Sequence, residues 1–273
     1  MRLAPRRFKE IIVKMSGNTI LITGGSAGIG LELARRLMAL DNVVIVTGRD
    51  VGKLEEARRL HPQLHTFPSD AADPEALVHL HQTLIARFPS LNVLINNAGI
   101  MRKINLHDPT PDLYDITREI DVNLAAPIRM VKQFLPHLKR QRTAAIVNVS
   151  SGLAFVPLAI SPVYSATKAA LHSFTQSLRI QLKNTAVKVF ELAPPGTDTA
   201  LFKGDFSADD VKGVTPMAVE TLGKHAIAGL SQDVYEIRPG LANALKLMSR
   251  VAPRFILGQL SKSVDGMLAR SKA

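Results

Sequence analysis

The sequence predicts an α/β fold, in which a doubly wound, seven-stranded parallel sheet carries helices on both faces and a helical tail follows. Short apolar segments typical of buried strands alternate with segments of helical periodicity along most of the chain. A glycine-rich turn joins the first strand to the first helix, and the later strands end in polar or turn-forming residues. Because the carboxyl ends of parallel strands meet at one edge of a sheet, we expect a binding site along that edge.

Length and composition limit what kind of protein this chain is. Its 273 residues, 46% of them apolar, are enough for one substantial core. No apolar run approaches the roughly 20 residues of a membrane-spanning helix, so none is expected. The chain has no cysteine, which excludes disulfides, thiolate catalysis and cysteine metal sites and fits a reducing cytoplasm. The histidines are scattered, and no metal site is predicted.

The net charge of +11 is concentrated at the two ends of the chain. Residues 1–15 hold five basic side chains and one acidic one, and residues 238–273 hold seven and one. A nucleic-acid-binding enzyme is expected to carry such charge as a patch on its body, so no nucleic-acid partner is predicted. Solvated tails and contact with an anionic membrane surface both stay open as explanations. The N-terminal segment, too weakly apolar for a secretion signal, is an arm, a weak targeting sequence or an upstream start before Met15.

The first strand, TILIT (19–23), leads directly into a glycine-rich turn, GGSAGIG (24–30). The segment after it, LELARRLMAL (31–40), has helical periodicity. In this strand–turn–helix context, glycines let the backbone approach a pyrophosphate, and the free N–H groups at the helix start attract it. The turn therefore predicts a dinucleotide-binding site.

The second and third strands bear on the choice of dinucleotide. The second, VVIVTG (43–48), is followed by Arg49. An acidic residue at this point would accept hydrogen bonds from the adenosine ribose and favour NAD, whereas a guanidinium suits a 2′-phosphate. NADP is therefore predicted. The third strand, LHTFP (64–68), is followed by Asp70, whose carboxylate either binds an adenine amino group or stabilises a turn.

The fourth strand, LNVLINNAG (91–99), ends in two asparagines and a glycine, and Gly99 leaves room for a bound ring against the chain. A long helix is predicted over 110–138, with Asn123 in its apolar middle. A buried amide is costly unless it is hydrogen-bonded. Asn123 therefore has either a structural hydrogen-bonding role or a role in an active site.

The fifth strand, AAIVNVSS (144–151), precedes a helix that places Tyr164 four residues before Lys168. Positions i and i+4 share one face of a helix, with Cβ atoms about 5–6 Å apart. A free tyrosine has a pKa of about 10, and a cation held beside it favours the phenolate and lowers that pKa toward neutrality. A serine hydroxyl at the end of the neighbouring strand can hydrogen-bond a substrate oxygen facing the tyrosine. These residue types suit proton transfer at a substrate oxygen. The spacing of Tyr164 and Lys168 is also a common accident on its own, so its meaning depends on the motifs that precede it.

The last part of the sheet is predicted to carry the region that contacts the substrate. A sixth strand, VKVFELAP (187–194), ends in a turn, and 200–215 is predicted to be a mobile loop over the site. A helix over 216–230 and a short seventh strand over 234–240 follow. The apolar segment after Ser151 and the ring of Phe202 favour an apolar or mixed substrate, but the same residues also suit a core.

Taken in order, these motifs resemble those of the short-chain dehydrogenases/reductases. The matches are TGxxxGxG at residues 23–30, NNAG at 96–99, the helical Asn123, and then Ser151, Tyr164, Lys168 and Pro195-Gly196. The resemblance covers roughly residues 16–240. It implies one Rossmann-like domain and an oxidoreductase that transfers hydride between a nicotinamide and a carbonyl or secondary alcohol.

The resemblance also implies a role for each catalytic residue. Tyr164 exchanges a proton with the substrate oxygen, and Lys168 lowers the pKa of Tyr164 and holds the nicotinamide ribose. Ser151, rather than Ser150, steadies the carbonyl. Asn123 keeps a water that links Lys168 to solvent.

The implied cofactor contacts gather in the glycine-rich turn and at the strand ends. Arg49, together with Ser26, would meet the 2′-phosphate, Asp70 would meet the adenine, and Asn97 would lie along the cofactor. The full set is Gly24, Ser26, Gly28, Ile29, Gly30, Arg49, Asp70, Ala71, Asn97, Ala98, Gly99, Tyr164, Lys168, Pro195, Gly196, Thr197 and Thr199.

The tail departs from the family pattern, because about thirty residues follow the predicted last strand. Two short amphipathic helices are predicted, broken near Ala252-Pro253, with Leu241, Leu245 and Met248 on one face. Such a tail puts the family's usual tetramer in doubt, and a homodimer is predicted. It covers the active site, packs on a partner or lies on a membrane, with packing on the protein itself favoured. It loosely resembles the tail of a bacterial group that includes an oxidoreductase of the lipoteichoic-acid D-alanylation operon.

The expected organisation is a basic extension (1–15), a dinucleotide-binding catalytic domain (16–240) and an amphipathic helical tail (241–273). The expected function is NADP(H)-dependent conversion between a small carbonyl compound and its alcohol in the cytoplasm, with peripheral membrane contact through the basic tails as a further possibility. One alternative is an NADPH-binding sensor without turnover, against which Tyr164 and Lys168 both argue. The other is a membrane-surface protein, which rests on the basic ends alone.

Overall fold

The seven strands are parallel and form one sheet in the order β3-β2-β1-β4-β5-β6-β7. The computed structural model describes residues 15–108, 112–207, 210 and 215–270, so most of the predicted N-terminal extension lies outside the described residues. The strands are β1 (Thr19–Thr23), β2 (Val43–Gly48), β3 (His65–Pro68), β4 (Leu91–Asn96), β5 (Ala144–Val149), β6 (Val187–Leu192) and β7 (Glu236–Ile237). The strand order reverses between β1 and β4, which is where ligands bind in doubly wound sheets. The predicted fold class is confirmed.

Helices connect the strands and cover both faces of the sheet. They are α1 (Gly28–Met38), α2 (Val51–Leu60), α3 (Pro74–Arg87), α4 (Leu113–Ile116), α5 (Arg118–Ile120), a π-helical turn (Asp121–Ala125), α6 (Ala126–Leu138), a 3₁₀ turn (Gly152–Ala154), α7 (Pro162–Gln181), α8 (Ala200–Lys203), α9 (Val219–Ser231), α10 (Leu241–Val251), α11 (Pro253–Leu260) and α12 (Ser263–Arg270). Within the part of the chain that the structure describes, none is long and apolar enough to cross a membrane.

The core lies in two layers, one on each face of the sheet, and β1 shows how the sequence divides it. Ile20 and Ile22 belong to the cluster that includes side chains of α1, α2 and α9. Leu21 belongs to the opposite cluster, which includes side chains of α3, α6 and α7. Because successive side chains of a strand point to opposite faces, a continuous apolar strand such as TILIT is buried on both sides.

The long helix predicted over 110–138 is interrupted. Its start falls partly outside the described residues. Beyond that, α4 and α5 are separated at Thr117, and the π-helical turn around Asn123 precedes α6. A π turn holds an extra residue and redirects a side chain, a feature often found at functional sites. The side chain redirected here is the Asn123 amide, which bonds to the backbone of Ile100.

The seventh strand is shorter than the 234–240 predicted. It consists of Glu236 and Ile237 alone, paired with β6. Two residues later Pro239 has no N–H to donate to a ladder, and Gly240 takes a positive φ of 54° that ends the extended backbone.

The described part of the tail, residues 241–270, forms three helices rather than the two predicted, and the predicted break lies at Ala252 between α10 and α11. The buried face of α10 consists of Ala242 and Leu245, whereas Leu241 is half exposed, so the predicted apolar face was only partly right. This face packs against the 3₁₀ turn after β5. The tail therefore packs on its own chain, beside the carboxyl end of β5.

Candidate active site

A cavity of about 780 Å³ opens along the carboxyl ends of the strands. It is lined by residues of the glycine-rich turn, the ends of β2, β4, β5 and β6, helix α7 and the tail. Almost all the residues predicted from the sequence line it together. The exceptions are Gly30 and Asn123, which lie behind its wall.

Tyr164 and Lys168 lie one turn apart on α7, which begins with Pro162 in its first turn. Both are almost fully buried, and the Lys168 ammonium lies 5.5 Å from the centre of the Tyr164 ring. The Tyr164 hydroxyl is hydrogen-bonded to the side chain of Ser151. The three predicted groups therefore meet at one point of the cavity.

Burial changes the pKa of both groups on α7. It raises the pKa of Tyr164 to about 12, against a smaller lowering by the hydrogen bond to Ser151. Burial also lowers the pKa of Lys168 to about 8. The predicted lowering of the tyrosine pKa by Lys168 is not found in this structure, because the cost of burying a phenolate outweighs the attraction of the neighbouring cation.

Ser150 and Ser151 both line the cavity, but their hydroxyl groups differ in their partners. The Ser150 hydroxyl donates to the carboxylate of Glu191, which is fully buried and also bonded to His172 Nδ1 at 2.7 Å. Ser151 begins the 3₁₀ turn, and its Oγ accepts from the Leu153 N–H at 3.1 Å, which leaves its own proton to donate.

Asn123 is held by the loop after β4. Its Oδ1 accepts from the Ile100 N–H at 2.9 Å, and its Nδ2 donates to the Ile100 carbonyl at 2.8 Å. A Cβ on Gly99 would lie 3.3 Å from Asn123 Oδ1 and 3.7 Å from Lys168 Nζ. The amide therefore has a structural role directly behind the lysine, and it does not contact the cavity.

The glycine-rich turn has the form that a pyrophosphate requires. Gly24 and Gly28 adopt positive φ values of 63° and 53°, which favour glycine. Helix α1 begins after Ala27, which offers no side-chain cap, so its first N–H groups are free to bind an anion. A Cβ at Gly30 would lie 2.4 Å from the Gly24 carbonyl oxygen, so this glycine shapes the turn from behind.

Asn97 ties the end of β4 to the glycine-rich turn. Its Nδ2 donates to the carbonyls of Thr23 and Gly24 at 3.0 and 2.9 Å. The Thr23 hydroxyl accepts from the N–H groups of Asn97 and Ala98. The NNAG segment thus holds the glycine-rich turn in place, and Asn97, Ala98 and Gly99 also line the cavity. We call this turn, held by Asn97 and Thr23, the cradle.

The far end of the cavity carries the groups predicted to select the nucleotide. Arg49 lines it, and the Ser26 hydroxyl lies 3.1 Å from where a Gly48 Cβ would stand. Asp70 stabilises a turn, because its Oδ1 accepts from the Ala72 N–H at 2.9 Å. The residue also lines the cavity, and its contact with an adenine stays a prediction. Lys53 adds a second cation that sequence reasoning missed. The feature of the sequence that could have revealed Lys53 is its position four residues after Arg49.

The other end of the cavity is largely apolar. The predicted Phe202 lies here, and so do Leu153 and Leu158 of the predicted apolar segment after Ser151. The other apolar residues of the wall were not predicted. The apolar residues are Ile100, Met101, Val122, Val149, Leu153, Leu158, Leu201, Phe202, Leu241, Leu245 and Leu260. The last three belong to the tail. Two charged residues, Arg118 and Asp210, also line the cavity.

Comparisons with known proteins agree with this geometry. A family model described as short chain dehydrogenase matches residues 18–210. The chain is 47% identical over 227 residues to an uncharacterized oxidoreductase, DltE, of Bacillus subtilis, which covers 82% of this chain and 89% of that protein. The resemblance predicted from the motifs is confirmed, and the chain as a whole is similar to this bacterial oxidoreductase over most of its length.

Two solved structures share the fold. One is a short chain dehydrogenase from Burkholderia cenocepacia in complex with NADP, with a TM-score of 0.77, 24% identity and coverage of 90% of this chain and 98% of that one. The other, from Burkholderia phymatum, is in complex with NAD, with a TM-score of 0.75, 19% identity and coverage of 85% and 93%. Because the two hold different cofactors, they leave the choice between NADP and NAD to this chain's own residues.

Proposed function

The chain belongs to the short chain dehydrogenase family of oxidoreductases, and from this premise we propose that it is an NADP(H)-dependent enzyme acting on carbonyl and secondary alcohol groups. One observation carries the proposal. Tyr164, Lys168 and Ser151 meet inside the cavity, beside a glycine turn shaped for a dinucleotide. The cradle around Gly24 and the uncapped start of α1 fit the cofactor.

Three side chains would carry out the proton transfer. The phenol of Tyr164 donates its proton to the substrate oxygen during reduction and takes it back during oxidation. The Ser151 hydroxyl donates to the same oxygen and fixes its position. The Lys168 cation, 5.5 Å from the centre of the Tyr164 ring, would favour the negative charge that develops on Tyr164 as its proton leaves. When bound, the nicotinamide supplies or accepts the hydride.

The pKa values of the two groups on α7 determine how the rate of reduction should depend on pH. A tyrosine with a pKa of about 12 is protonated throughout the physiological range and is ready to give its proton to a carbonyl. Lys168, with a pKa of about 8, is charged at neutral pH and loses that charge in mildly alkaline solution. Reduction should therefore become slower as the pH rises through about 8.

NADP is the preferred cofactor in this proposal, and two cations next to the carboxyl end of β2 support it. Arg49 and Lys53 both line that end of the cavity. Asp50 also lies there, but its Oδ1 accepts from the Lys53 N–H at 3.0 Å as the cap of α2. Its Oδ2 lies 3.7 Å from the Lys53 ammonium, so this carboxylate faces a cation and is a weaker acceptor for the ribose hydroxyls that NAD would present.

The predictions on partners and location continue as part of the proposal. Peripheral membrane contact is supported by the outer face of the tail, where Leu247, Val251 and Phe255 are exposed beside Arg250 and Arg254. Sedimentation with anionic vesicles, with and without residues 241–273, would test this membrane contact.

The homodimer and the cytoplasmic location rest on the sequence alone. Light scattering of the purified protein would test whether it is a dimer.

The test of the function follows NADPH absorbance with a panel of aldehydes, ketones and quinones. We expect Tyr164→Phe to lower kcat/KM by about 10²–10⁴-fold, the usual contribution of a general acid. Tyr114→Phe is the matched control, because Tyr114 is 91% exposed and should leave activity unchanged. Equal activity in Tyr164→Phe would refute the proposed proton donor. Tight NADPH binding without turnover of any carbonyl would favour the sensor.

A further inference from the structure

We propose that helices α10 and α11 form a wall of the substrate chamber, and that this wall selects carbonyl substrates with an extended apolar chain. The inference rests on the proposed reductase function and adds to it the chemical class of the substrate. Three observations carry it: the packing of α10 beside Ser151, the contacts that anchor α10, and the apolar residues facing the chamber.

Helix α10 lies directly against the turn that follows the proposed catalytic serine. Ala242 and Leu245 are buried there, with exposures of 0% and 4%. A Cβ on Gly152 would lie 3.2 Å from Leu245 Cδ1 and 3.4 Å from the Ala242 Cα. Glycine at 152 therefore permits a close approach, and the tail helix is packed one residue away from Ser151.

A second set of contacts anchors the same helix. The ammonium of Lys246 lies 5.2 Å from the centre of the Phe155 ring, just beyond the 3₁₀ turn. Lys246 also forms a salt bridge with Glu236 of β7, and its side chain is only 15% exposed. Cation–π contacts and ion pairs gain strength as they are shielded from water. Helix α10 is thus fixed both to strand β7 of the sheet and to the segment that follows Ser151.

The tail presents leucines to the chamber. Leu241, Leu245 and Leu260 line it together with residues of the catalytic domain, among them Leu153 and Phe202. Leu241 is 49% exposed, and part of its open surface faces the cavity. Apolar side chains left open at a binding site gain most from a ligand that covers them with hydrocarbon.

The charged residues of the lining do not point to a small ionic substrate instead. Asp210 is paired with Lys103 at 2.6 Å and also accepts hydrogen bonds from Ser207. Arg118 lies 3.9 Å from Asp115. Asp210 is therefore neutralised within the protein. Arg118, in contrast, is half exposed, and its neighbour Asp115 already pairs with Arg102. Apolar side chains still far outnumber this available cation, so the apolar wall is the dominant feature for recognition.

The experiment measures kcat/KM for straight-chain aldehydes of increasing length in three forms of the full chain: wild type, Leu241→Trp and Leu247→Trp. Leu247 is the matched control, because it lies on the same helix, is 62% exposed and does not line the cavity. For wild type we expect a rise of about two- to fourfold per methylene until the chamber is filled. Leu241→Trp should lose at least tenfold with the longest aldehydes and less than twofold with the shortest. Leu247→Trp should match wild type.

A second readout does not depend on turnover. The protein has no tryptophan, so the indole of Leu241→Trp is a unique fluorescent reporter beside the chamber. With NADPH present, unreactive long-chain alkyl amides should change its emission, whereas short amides should not, and Leu247→Trp should respond to neither. If wild type reduces carbonyls with no dependence on chain length, and long amides leave the Leu241→Trp emission unchanged, the wall is refuted while the reductase stands. If no carbonyl is reduced but the amides still alter the emission, the reductase proposal fails and the apolar chamber stands.

Discussion

The ammonium of Lys168 donates a hydrogen bond to the carbonyl oxygen of Val149 at 2.9 Å. A cation on α7 is thereby joined to the end of β5, immediately before the two serines. Both residues line the cavity, and Lys168 is only 4% exposed. The contact positions the ammonium, but a backbone carbonyl does not repay the full cost of burying a charge. Burial of Lys168 therefore lowers the free energy of unfolding, as expected of a residue that is retained for function.

Lys168→Met should raise the free energy of unfolding of the cofactor-free protein at pH 7 by about 1–3 kcal/mol while abolishing activity. The folded-state pKa of Lys168 is about 8, below its ordinary value of 10.5, so between these values the unfolded chain binds more protons. The free energy of unfolding of wild type therefore rises with pH across this window, and the advantage of the variant shrinks. Urea unfolding between pH 7 and 9.5 measures both trends.

Lys183→Met is the control for this experiment, because Lys183 is exposed just beyond the same helix. It should change the free energy of unfolding by less than about 0.5 kcal/mol at every pH. A Lys168→Met protein less stable than wild type at pH 7 would show that the lysine is a net stabilising group.

Asn123→Ala should destabilise the protein by about 2–4 kcal/mol. Asn123 is fully buried and pairs with both the N–H and the carbonyl of Ile100, so its loss leaves two backbone groups without these partners. Asn243→Ala is the control, since that residue is exposed and accepts a single bond from Arg238 at 3.2 Å. Urea unfolding gives both values, and similar small losses in the two variants would contradict the structural role of Asn123.

Local patterns were enough to predict the sheet, the glycine-rich turn and the pair on α7. The strand TILIT and the spacing of Tyr164 and Lys168 are properties of adjacent residues, and secondary structure converts them directly into positions in space. The π turn at Asn123 was not predicted, because it depends on the distant Ile100 backbone.

The remaining differences also come from contacts distant in sequence. The packing of Leu245 against Gly152 joins residues more than ninety positions apart, so the tail could not be assigned to the chamber from its own periodicity. The pKa of Tyr164 was expected to fall because the cation is close in sequence. It is raised because burial, which depends on the whole fold, has the larger effect.

Arg49→Ala and Lys53→Ala should each lower kcat/KM for NADPH by about 10-fold or more and leave kcat/KM for NADH nearly unchanged. Each variant removes a cation from the end of the cavity where a 2′-phosphate would lie. Arg49→Asp should go further and shift the preference toward NADH. Arg59→Ala is the control, because Arg59 is exposed and lies in the last turn of α2, the helix that carries Lys53. Equal losses of kcat/KM with NADPH and NADH would show that these cations do not recognise the 2′-phosphate.

Gly30→Ala should weaken NADPH binding, whereas Gly258→Ala should leave binding unchanged and stabilise the protein, although each variant adds one methyl group to a helix. At Gly30 the new Cβ would lie 2.4 Å from the Gly24 carbonyl oxygen and 2.5 Å from Asn97 Nδ2, so the bond between those two groups must yield. The cradle then deforms, and NADPH affinity, measured by its fluorescence on binding, should fall more than tenfold. At Gly258 nothing lies within 4 Å, and alanine should stabilise α11 by about 0.5–1 kcal/mol without changing NADPH binding. If Gly30→Ala bound NADPH as well as Gly258→Ala does, the turn would not be the cofactor cradle, because a cradle held by that bond cannot accept a methyl group there unchanged.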